Sequence, residues 1–179
     1  MNIRQYNTLD STNNECKRLI EKNRSILDTP FVVWSETQTN GRGSQNRHWY
    51  SNSKEGLYYS FCYAPTTFYF HDITRFNRSI ADIIMDTIGV ITGLNTVFKS
   101  PNDILLHTKK IAGILIEMNA PTASKIPQFI IIGIGLNINH QKFPDDLSEM
   151  ATSLRLESLQ KYKKSDFITQ LSHTLNDII

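Results

Sequence analysis

Between Gln128 and Ile138 the chain reads Gln-Phe-Ile-Ile-Ile-Gly-Ile-Gly-Leu-Asn-Ile. Almost every position is apolar, so no alternation divides a wet face from a dry one. Such a segment suits a strand buried on both faces, and it needs other elements to cover it. Residues 2–8, Phe31–Glu36, Leu57–Tyr63 and Thr96–Lys99 read as further strands, Pro30 marking the start of the second. Asp103–Leu106 and Ile111–Met118 read as a hairpin turned at His107-Thr108-Lys109.

Helical cover comes from three places. Ile73, Phe76, Ile80, Ile83, Ile84, Thr87, Ile88 and Ile91 recur at helical spacing, with Asp72 as the cap and Gly93 as the stop. Phe167, Ile168, Leu171, Leu175 and Ile178 mark a final helix. A shorter one opens at Asp10-Ser11-Thr12, where Thr12 and Glu15 have capping-box spacing and Cys16, Leu19 and Ile20 form an apolar face. Phe143–Glu149 reads as a polar connection. This order of elements predicts an α+β (α/β-layered) fold, a mixed sheet with packed helices.

The 179 residues fit one domain. A net charge of +2, from 19 basic and 17 acidic residues with no basic tract, is too mild to argue for nucleic acid as a partner. Cys16 and Cys62 lie in apolar-patterned segments and read as buried free thiols, since no spacing supports a metal or disulfide pair. No apolar run approaches the roughly 20 residues of a membrane span, and the N-terminus lacks a signal region. A cytoplasmic setting and no membrane partner are therefore expected.

Five segments carry chemistry. Thr37–Ser53 is a long Gly/Asn/Ser/Thr-rich loop holding Gly41-Arg42-Gly43, Arg47 and Trp49. Glycines let backbone N–H groups approach an anion, the arginines add forked donors, and Trp49 offers a flat wall. Asn102 and Asp103, after Pro101, could hold a metal ion or orient a ligand. Lys110, at the edge of a buried strand, could neutralise an oxygen gaining charge, and Gly113 allows close approach of a ligand or another backbone. Gly133-Ile-Gly-Leu-Asn137 follows an apolar strand without opening a helix, so it fails the dinucleotide-fold pattern and suggests room against the sheet. The hydroxyls of Ser11 and Thr12, beside Asn13, could bind a polar head group. Read alone, each segment also fits a plainer role: a surface loop, an Asn-Asp turn, a solvated lysine, tight packing, or a helix cap.

Taken in order from about Ile3 to Leu154, these segments resemble the catalytic domain of the biotin–protein ligases (biotin–[acetyl-CoA-carboxylase] ligases). The resemblance implies a fold related to class II aminoacyl-tRNA synthetases, with a mixed, mostly antiparallel sheet. It implies joining of biotin to ATP as biotinyl-5′-AMP, then transfer to a lysine of a biotin carboxyl carrier domain of a carboxylase. Ser11, Thr12 and Gln38 match positions that bind the biotin ring, with Asn13 beside them. Gly41, Arg42 and Gly43 match the loop that closes over biotin and the adenylate, and Trp49 matches a pocket wall. Lys110 matches the lysine touching the biotin carboxylate and α-phosphate, and with Arg42 it forms the expected catalytic pair. Gly113 and Gly133 match backbone approaches to biotin. Ser44, Arg47, Asn102 and Asn137 join Gly43 in the expected nucleotide set, and Asp103 matches an acidic residue near the phosphates and Mg²⁺.

Ser44 and Asn46 stand where many members carry a basic residue and a glycine, and Ser100 where tryptophan is usual. The expected organisation is a single catalytic domain over 1–179, monomeric or weakly dimeric. It would lack the small C-terminal β-domain and any N-terminal DNA-binding domain, and so would have no DNA partner. Two alternatives follow: a non-catalytic biotin- or adenylate-binding relative, and a lipoate or octanoyl transferase of the same fold.

Overall fold

The computed structural model describes residues 1–67, 73–119 and 126–177. Asp72 and Ile178, expected as a helix cap and a helix-face residue, lie outside them. Seven strands form one sheet: β1 (Asn2–Leu9), β2 (Phe31–Gln38), β3 (Gly56–Tyr63), β4 (Val97–Lys99), β5 (Asp103–Leu106), β6 (Lys109–Met118) and β7 (Ile130–Asn137). Their spatial order is β1-β2-β3-β7-β6-β5-β4. β1 and β2 run parallel, joined by a helical crossover, and the other described pairs are antiparallel. This is the mixed, mostly antiparallel sheet expected.

β7 sits between β3 and β6, and its side chains alternate between two buried faces. Ile132, Ile134 and Leu136 enter the larger core beneath α2 (Ile73–Thr92) and α5 (Lys164–Asp177), against Ile80, Ile84, Ile88, Phe167 and Leu171. Ile131 points the other way, joining Cys16, Ile20, Phe31, Val33 and Cys62 under α1 (Thr12–Lys22). Gly133, Gly135 and Asn137 continue this second face, where the first turn of α1 reaches Gly133 through Asn13. The glycines let Asn13 and Trp49 pack close to the sheet, and all of them line one cavity.

Three local expectations change. No capping box forms: Ser11 is the N-cap and makes no side-chain cap bond. Thr12 instead turns inward, its N–H and Oγ1–H donating to Gln38 Oε1 at 2.8 and 3.2 Å. Glu15 accepts from Tyr6 Oη at 3.0 Å and Arg18 Nε at 2.8 Å. Tertiary partners outcompete the local cap. The hairpin turn is also tighter than expected: Lys109 already pairs with Leu106, so only His107, at φ +55°, and Thr108 make it. The Phe143–Glu149 connection contains one helical turn, α3 (Asp145–Ser148), and α4 (Leu154–Ser158) follows it. Gly93, at φ +74°, ends α2 as expected.

Candidate active site

The open face of the sheet is floored by register. Gly113, Gly135 and Tyr58 lie side by side across β6, β7 and β3, and Leu115, Gly133 and Ser60 form the next row. With no side chains on the three glycines, a cavity of about 510 Å³ opens above the strands. Trp49 lies over one row: a Cβ on Gly135 would meet its Cε2 at 2.4 Å, and one on Gly113 its Cζ3 at 2.9 Å. Asn13 lies over the other, since a Cβ on Gly133 would meet its Oδ1 at 2.5 Å.

One end of the cavity is a buried polar nest. Ser11, Thr12, Asn13 and Gln38 are all less than a tenth exposed. Ser60 Oγ stands 2.7 Å from Thr12 Oγ1 and 2.6 Å from Asn13 Oδ1. β1 and β2 deliver α1 and Gln38 to this spot because they run parallel and end together, Leu9 opposite Gln38.

The other end carries charge. Lys110 Nζ lies 2.6 Å from Asp103 Oδ1 and 5.1 Å from the centre of the Trp49 ring. Lys110 is held through its backbone: its N–H donates to Met150 O at 2.8 Å, and its carbonyl accepts from Thr152 N at 3.0 Å. Asn137 Nδ2 donates to Thr152 O at 3.0 Å on the same wall. Tyr50 and Phe143 line the cavity too, both packed on His140 behind them; the His140 and Phe143 rings stack at 4.9 Å. Burial, then the nearby Lys164 charge, pulls the His140 pKa down to about 4.

The Gly-Arg-Gly segment forms the roof. It is a small hairpin closed by Trp49 N–H to Gly41 O at 2.9 Å and Gly43 N–H to Arg47 O at 2.7 Å. Its tip meets the sheet where Asn102 Nδ2 donates to Ser44 Oγ at 3.1 Å. Arg47 folds back onto Ser44. Arg42 points away from Lys110: its Nη2 lies 2.7 Å from Glu117 Oε2. Glu117 is seven residues along β6 from Lys110, about 23 Å of strand.

The structure thus brings together around one cavity Ser11, Thr12, Asn13, Gln38, Trp49, Asp103, Lys110, Gly113, Gly133 and Asn137. Arg42, Gly43, Ser44, Arg47 and Asn102 join them at the roof and rim. Gly41 is packed tight behind, where a Cβ would sit 2.1 Å from Ser51 Oγ. Two residues at the cavity went unmarked in the sequence, Ser60 and Glu117. Their signal was alternation: Ser60 is a small polar residue in an apolar strand, and Glu117 shares the strand face of Gly113.

The glycine-floored, helix-backed sheet has the fold of a biotin protein ligase. That of Aquifex aeolicus, solved in complex with biotin and ATP, superposes with a TM-score of 0.82 at 24% identity, over 98% of this chain and 69% of that one. That of Leishmania major, solved with biotinyl-5-AMP, gives 0.80 at 22% identity, over 99% and 74%. Residues 6–137 match the model of the biotin/lipoate A/B protein ligase family, and the chain belongs to that family. The bifunctional ligase/repressor BirA of Bacillus spizizenii is 34% identical over 142 residues, 78% of this chain and 43% of the relative. The chain spans about half the length of the curated relatives it matches.

Proposed function

We propose that residues 1–179 form the catalytic domain of an ATP-dependent biotin–protein ligase. The observation that carries this reading is one cavity with a polar nest at one end, the Lys110–Asp103 pair at the other, and a glycine floor between. Biotin has a matching polarity: a ureido ring, an apolar chain and a terminal carboxylate. Ser11, Thr12, Asn13 and Gln38, supported by Ser60, would take the ring. The chain would lie over Gly133 and Gly113, and the carboxylate would reach Lys110.

In the first step a carboxylate oxygen attacks the α-phosphorus of ATP, the α–β P–O bond breaks, and pyrophosphate leaves. Two anions must meet, and Lys110 offsets their repulsion from a fixed position. Trp49, Ser44, Arg47, Asn102 and Asn137 surround the nucleotide end. In the second step a neutral lysine amine of a biotin carboxyl carrier domain attacks the acyl carbonyl, and AMP leaves. The roof made by Gly41–Gly43 would keep water from the anhydride between the steps. Mg²⁺ brought by the phosphates supplies further positive charge when bound, and Asp103 is the residue that would hold it. The site fits that role and no larger one. Among the described residues no group of three or more His, Cys, Asp or Glu could hold a metal, whereas Mg²⁺ binds through one or two carboxylates plus phosphate oxygens.

Among the described residues no helix is long and apolar enough to cross a membrane, and Cys16 and Cys62 are free and buried, which supports a reducing cytoplasmic setting. ATP–pyrophosphate exchange tests the proposal. Exchange that requires biotin supports it. Biotin binding without exchange would make the chain a non-catalytic relative, and exchange driven by lipoate or octanoate would move the substrate.

A further inference from the structure

Glu117 is a carboxylate that follows the apolar stretch Ile111–Ile116 of β6, and less than a fifth of its side chain is exposed. Three donors converge on it. Lys17 Nζ lies 2.8 Å from Oε1, while Asn13 Nδ2 at 2.8 Å and Arg42 Nη2 at 2.7 Å share Oε2. Burial pushes its pKa up, but Lys17, Asn13 and Arg42 outweigh burial and hold it below the ordinary carboxylate value.

The three donors belong to two different bodies. Lys17 and Asn13 stand on α1, and Arg42 stands on the roof hairpin. The hydrogen bonds that close the hairpin are internal to it, and it meets the sheet through Trp49 on the glycine row and through polar contacts at its tip and at Arg42. Those polar contacts are Asn102 to Ser44 and Arg42 to Glu117. Arg42 Nε is buried without a partner, so among the described residues the guanidinium is anchored through Glu117. The Asn13 amide, for its part, overhangs Gly133 at the ring end and accepts from Ser60 through Oδ1. One oxygen therefore touches both the roof and the polar nest of the cavity.

We propose that Glu117 is a positioning residue that couples the seating of the Gly41–Gly43 roof to the orientation of Asn13, and so sets how tightly biotin and its adenylate are held. This rests on the ligase reading above. Charge is the essential property. A glutamine has the same length but is neutral, and its amide hydrogens must face either Lys17 or the Asn13–Arg42 pair, so it cannot satisfy all three donors.

The test is a double-mutant cycle with Glu117→Gln and Arg42→Lys, in a Trp34→Phe background where Trp49 is the only tryptophan. Biotin affinity is measured by calorimetry, adenylate escape by chase with unlabelled biotin, and roof seating by acrylamide quenching of Trp49 without ligand. Each single variant is expected to weaken biotin binding and speed adenylate escape by about tenfold. The double variant should be no worse than Glu117→Gln alone, because that variant already removes the charge that Arg42 pairs with. Glu117→Gln should raise KM for biotin far more than it lowers the first-turnover rate at saturating biotin, and should expose Trp49 to quencher. Additive effects, or a lowered melting temperature with unchanged affinity and quenching, would overturn the coupling and leave Glu117 a structural pin. Failure of the unsubstituted protein to bind biotin would instead overturn the ligase reading, and Trp49 quenching would still decide whether Glu117 seats the roof.

Discussion

Adding one methyl group at Gly135 should unseat Trp49 while leaving the sheet intact. A Cβ built there lies 2.4 Å from Trp49 Cε2, 2.5 Å from Nε1 and 2.8 Å from Cζ2, where ordinary contact begins near 3.4 Å. The indole must therefore retreat by about 1 Å or more. Overpacking costs about 1–3 kcal/mol when the neighbours cannot move. Here the neighbour sits on a hairpin outside the core, and the strand backbone gains from replacing glycine, by about 0.5–1 kcal/mol in its favour. Stability should change little. What is lost is the pocket wall and the Lys110–ring contact at 5.1 Å, a cation–π pair at a partly buried site. ATP affinity should fall about tenfold, or ~1.4 kcal/mol. Trp49 emission in a Trp34→Phe background should shift to the red, and thermal denaturation supplies the control. Unchanged emission and unchanged ATP affinity in Gly135→Ala would refute the claim that the glycine exists to admit this ring.

Three further outcomes are expected. Lys110→Met removes the partner of Asp103 and should slow adenylate formation more than about tenfold, at least ~1.4 kcal/mol, in single-turnover assays; unaltered kinetics would remove Lys110 from the reaction. His140 is held neutral in the fold, its pKa pulled from 6.5 to about 4 by burial and by Lys164. The unfolded chain therefore binds more protons between those values, so this contribution is complete above pH 6.5 and is lost as pH falls toward 4, on the order of 3 kcal/mol. His140→Phe should flatten that part of the urea-stability profile, and an unchanged slope would contradict the assignment. Gly93→Ala meets no atom within 4 Å, but it must hold φ at +74°, so the melting temperature should drop by the equivalent of about 1–2 kcal/mol; a neutral result would mean that the α2 terminus relaxes.

The parts of this fold that were legible in the sequence are those with long, strong patterns. The apolar run around Ile130–Ile138 announced a strand covered on both faces, and the isoleucine spacing from Ile73 to Ile91 announced α2. The Gly-Arg-Gly loop, Lys110 and the glycines of β7 were legible as chemistry because they break the patterns around them. What escaped is what depends on distant neighbours. Thr12 had the spacing of a cap but was claimed by Gln38, 26 residues on. The parallel pairing of β1 with β2 left no local mark. α3 and α4 are too short to show a period. Arg42 was expected beside Lys110 as a second cation for the phosphate, and nothing near Arg42 in sequence shows that its guanidinium lies on Glu117, 75 residues away.

The most direct measurement is mass spectrometry of the species retained by the protein after incubation with biotin and ATP·Mg²⁺, followed by addition of a biotin carboxyl carrier domain. The account predicts biotinyl-5′-AMP in the cavity, then its loss with one biotin appearing on a carrier lysine. Biotin recovered unchanged from the cavity, with no adenylate and no transfer, would contradict it.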